Sequence, residues 1–77
     1  MTSAISHILG KTISGVIVKE GDATPRGQVF LLFADGTYYE LYSDSRIQGT
    51  KGVDKGGPDQ VRNYFTRNRV VFEALND

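Results

Sequence analysis

The sequence predicts a small α+β domain: an antiparallel β-meander of three to four strands, with one helix packed on a sheet face and a short helix at the N-terminus. Apolar and β-branched residues gather in short runs, Thr12 to Val18 and Val29 to Ala34, as strands require. Asp35-Gly36 follows the second run and suits a type I′ hairpin turn, whose two central residues both have positive φ. Pro58-Asp59 opens a segment in which Val61, Tyr64 and Phe65 recur at helical spacing, giving one apolar stripe for a sheet.

In chain order, Ser3 is placed to cap a short helix carrying Ile5, Ile8 and Leu9 on one face, and Gly10 suits the left-handed residue that ends it. Lys11 to Lys19 reads as a strand through Thr12, Ile13, Val16, Ile17 and Val18, and Gly15 within it marks a bulge or a close approach to the backbone. Glu20 to Gly27, with Gly21, Asp22 and Pro25, reads as an exposed loop. Gln28 to Ala34 is apolar on both sides of the pleat, so it reads as a central strand needing cover on each face. Thr37 to Ser43 returns antiparallel, completing a hairpin from Gln28 to Ser43 with Tyr38, Glu40 and Tyr42 on one side and Tyr39 and Leu41 on the other. That tyrosine side also carries either Val29, Leu31 and Phe33 or Phe30 and Leu32, depending on whether the turn has two residues or three. Asp44 to Gly57 holds four glycines and reads as a long loop with Ile47 and Val53 as its apolar anchors. A helix is expected from Pro58 to Arg67, with Asn68 suited to its left-handed C′ position. Val70 to Ala74 reads as a last strand, or alternatively as a continuation of that helix.

A chain of 77 residues is expected to form one domain spanning 1–77, because two cores would each be too small to offset chain entropy. Such a domain buries only about 60% of its unfolded surface, and small domains usually rely on disulfides, a metal or a partner subunit. The chain has no cysteine and one histidine, His7, so neither a disulfide nor a metal site is expected, nor any cofactor. Elimination favours a partner subunit. Nine Lys and Arg balance nine Asp and Glu, which gives no long-range pull toward a polyanion or an acidic membrane. Met1 to His7 lacks the basic start and apolar stretch of a secretory signal, and the longest apolar run, Val29 to Ala34, is too short to span a bilayer. The expected location is the cytoplasm.

Three features bear on function. Tyr38, Glu40 and Tyr42, with Leu31 and Phe33 as hydrophobic neighbours, form a candidate protein interface, since tyrosine joins large contact area to a water-tolerant hydroxyl. The plainer alternative is that the N-terminal helix covers that face within the chain. Gly49 to Gly57, with Lys51 and Lys55, has the look of an anion cradle before the Pro58 helix. Lys55 is followed by Gly56 rather than by Ser or Thr, which departs from a P-loop. Arg62, Arg67 and Arg69 interleave with Tyr64 and Phe65 as nucleic-acid surfaces do, although helical spacing makes the aromatics core residues. No catalytic constellation is visible, so an enzyme is not expected. The leading expectation is a non-catalytic protein-interaction or homo-oligomerisation module, with a nucleic-acid-binding domain as the alternative.

Overall fold

The computed structural model describes residues 6–22, 26–43, 48–64 and 67–76. β1 (Ile13–Glu20), β2 (Gly27–Phe33), β3 (Thr37–Ser43) and β4 (Gln48–Lys55) follow one another as a meander. The helix α1 (Pro58–Asn63) and a final strand, β5 (Arg69–Leu75), complete the described elements. Among the described residues the sheet has five strands in the order β4-β3-β2-β1-β5, with every pairing antiparallel. The chain therefore folds as a mostly β, two-layer structure whose Cα atoms span 32 × 29 × 16 Å.

Burial in β1 and β2 alternates residue by residue, as the pleat demands. Gly15, Ile17 and Lys19 of β1 and Gln28, Phe30 and Leu32 of β2 are buried on an inner face, while Val16, Val18, Val29 and Leu31 point the other way and are half-buried. The inner face carries the core of Ile17, Phe30, Leu32 and Tyr38, closed by Val61 and Tyr64 from the α1 side. Phe30 meets both Tyr38 and Tyr64 edge-on, at centroid distances of 5.8 and 6.0 Å, the arrangement that ring quadrupoles favour.

The hairpin register resolves the choice left open by the sequence. Leu32 faces Tyr38, Phe30 faces Glu40 and Gln28 faces Tyr42, so the tyrosine side is the side of Phe30 and Leu32. Gly36 donates its N–H to the Phe33 carbonyl at 3.2 Å and has φ +83°. The turn thus has three residues, Ala34 to Gly36, rather than the two-residue Asp35-Gly36 turn that positive φ at both positions would give. Asp35 fixes it by accepting from the Thr37 N–H at 3.1 Å, from the Thr37 hydroxyl and from Lys11 Nζ. The Lys11 ammonium also lies 5.4 Å from the Phe33 ring centroid.

The stretch expected to be a loop from Asp44 to Gly57 contains β4, which pairs with β3 along Thr37 to Ser43. Low strand propensity does not prevent this, because an edge strand is held by its neighbour's backbone. Gly49 and Gly52 lie opposite Tyr42 and Glu40, so residues without side chains face long ones. The helix is also shorter than Pro58 to Arg67. It ends at Asn63, and Tyr64 at its C-cap is already extended (φ −76°, ψ 130°). The last segment is a strand and not a continued helix. Asn68 serves as a buried amide of the inner face.

At the N-terminus Ser6 is helical and residues 7–10 form a turn, in which Leu9 N–H donates to Ser6 O at 3.2 Å and Gly10 takes φ +81°. Ser3 and Ile5, assigned to a helix there, lie outside the described residues. Leu9 is 78% exposed, so it does not cover the sheet as expected; α1 covers the tyrosine side instead. Gly15 is both a bulge and a close approach. The β1–β2 register shifts beside it, and a Cβ there would sit 2.7 Å from Leu75 Cδ2 and 3.1 Å from the Ala74 carbonyl oxygen.

Candidate functional site

Two arrangements carry chemical information: a buried polar network on the inner face and an apolar surface on the outer one. The network begins at Lys19, which is fully buried. Its Nζ donates to the carbonyls of Val61 at 3.1 Å, Arg62 at 3.3 Å and Tyr64. These are carbonyls at the end of α1, where the helix dipole and free acceptors favour a cation. Beside it, Asn68 Nδ2 donates to Gln28 Oε1 at 2.9 Å, and Gln28 Nε2 donates to Glu40 Oε2 at 2.8 Å. Burial pushes the Lys19 pKa down, and the Glu40 carboxylate works against that shift. Among the described residues Glu40 Oε1 has no hydrogen-bond partner. The network can pin the helix end to the sheet and orient Glu40; an open depression lies elsewhere, over Gly15, Ala74 and Leu75.

The expected interface residues are thereby divided. Tyr38 and Glu40 are buried inside the chain and Tyr42 is half-buried on the same side, so α1 occupies much of the face proposed for a partner. Leu31 and Phe33 belong to the opposite face. Phe33 is buried beneath Lys11, and Leu31 remains half-buried.

No protein family, curated protein or solved structure matches this chain. Its site must be read from its own geometry.

The basic residues do not converge. Arg62 binds Glu73 through Nε at 2.8 Å and through a terminal nitrogen at 2.5 Å, and also binds Asp59 at 2.7 Å. These carboxylates raise its already high pKa, and Arg62 in turn lowers that of Glu73. Arg67 and Arg69 are exposed at the start of β5, and Lys55 is exposed at the end of β4. Lys51 lies within β4, and the Gly57 N–H at the start of α1 donates to Gln60 Oε1 at 2.9 Å. The Gly49 to Gly57 stretch thus runs mainly as a paired strand, and a backbone donor beside the helix start is already used. Among the described residues no group of three or more metal-ligating side chains occurs, and no helix is long and apolar enough to cross a membrane.

What sequence reasoning missed is the outer face. Val16 and Val18 of β1, Val29 and Leu31 of β2, and Leu41 of β3 are half-buried there, while Tyr39 of β3, opposite Leu31, is buried. By register with Val18, Phe72 of β5 joins them and is 55% exposed. A sheet with one face in solvent normally alternates apolar inward with polar outward. Here buried polar residues share the inner face while the outer one is apolar, with aliphatic and aromatic side chains together. The signal was present as the two-sided apolarity of Gln28 to Ala34.

Proposed function

We propose that this chain is a non-catalytic protein-interaction module of the cytoplasm that associates through the outer face of its sheet. The observation that carries this reading is the contiguous set Val16, Val18, Val29, Leu31 and Phe72, left partly open on the side opposite α1. Contiguous apolar surface on a small domain marks a contact site more often than a solvated one. β5 is an edge strand that also exposes Val70, Val71 and Leu75, and an exposed strand edge is open to pairing. This reading ranks above nucleic-acid binding because Arg62, central to the basic candidates, is held by two carboxylates. A photo-reactive side chain introduced at position 31, with one at the exposed position 59 as control, tests it in living cells. A protein adduct specific to position 31 is expected; its absence overturns the proposal.

A further inference from the structure

We draw no further inference here: the strongest candidate, the buried side-chain cluster of Lys19, Gln28, Glu40 and Asn68 on the inner face of the sheet, belongs to the site already described.

Discussion

Lys19 concentrates the largest energetic consequence in one side chain. A buried ammonium is tolerated only where hydrogen bonds and a counter-charge replace water, and removing one partner of such a set typically costs about 3–5 kcal/mol. Lys19→Met should therefore lower unfolding stability by that order in urea titration, because Glu40 stays buried without its cation and three carbonyls at the end of α1 lose their donor. Adding Glu40→Gln should recover part of the loss, and strict additivity of the two substitutions would show that they do not interact. Asp35 gives a pH signature of known sign. Hydrogen bonds from Lys11 and Thr37 lower its pKa from 3.8 to about 2. Its contribution is thus complete above about pH 4 and disappears as pH falls toward 2. Asp35→Asn should flatten stability across that interval, and an unchanged acid limb would contradict the assignment.

Among the elements, the hairpin, the bulge at Gly15 and the start of α1 were legible in the sequence because each depends on residues adjacent in the chain. β4 was not, since its strand character comes from pairing with β3 rather than from Gly49 or Gly52. The hairpin register turned on one residue of loop length, and that residue decides which side Tyr38 and Glu40 share. Lys19 looked like the charged end of a strand, and its acceptor Val61 O is 42 residues away, beyond any local pattern. The two faces now predict opposite mutational behaviour. Tyr38→Ala should cost about 3–5 kcal/mol by opening the aromatic core, whereas Val29→Thr on the outer face should change monomer stability by under about 1 kcal/mol. Chemical denaturation at low micromolar concentration would separate them, and equal costs would mean that the outer face is core as well. Gly15→Ala should destabilise by about 1–3 kcal/mol through its clash with Leu75 and Ala74, an over-packing cost. Recovery in the double variant with Leu75→Ala would locate the strain at the β1–β5 seam.

At the scale of the whole molecule, a partner of the kind proposed for the outer face would add to stability by mass action. The Cα extent of 16 Å in the thinnest direction is what one sheet and one short helix occupy. The inward-pointing Lys19 has a further consequence in time rather than in space. Its acceptors lie in residues 61–64, and the strand beside it, β5, comes later still. Until those segments arrive, any other apolar element that docks on the inner face must bury an ammonium with too few acceptors, at a cost of several kcal/mol. Burial of the Lys19 ammonium on the inner face is thus tied to the arrival of the helix end that supplies its acceptors.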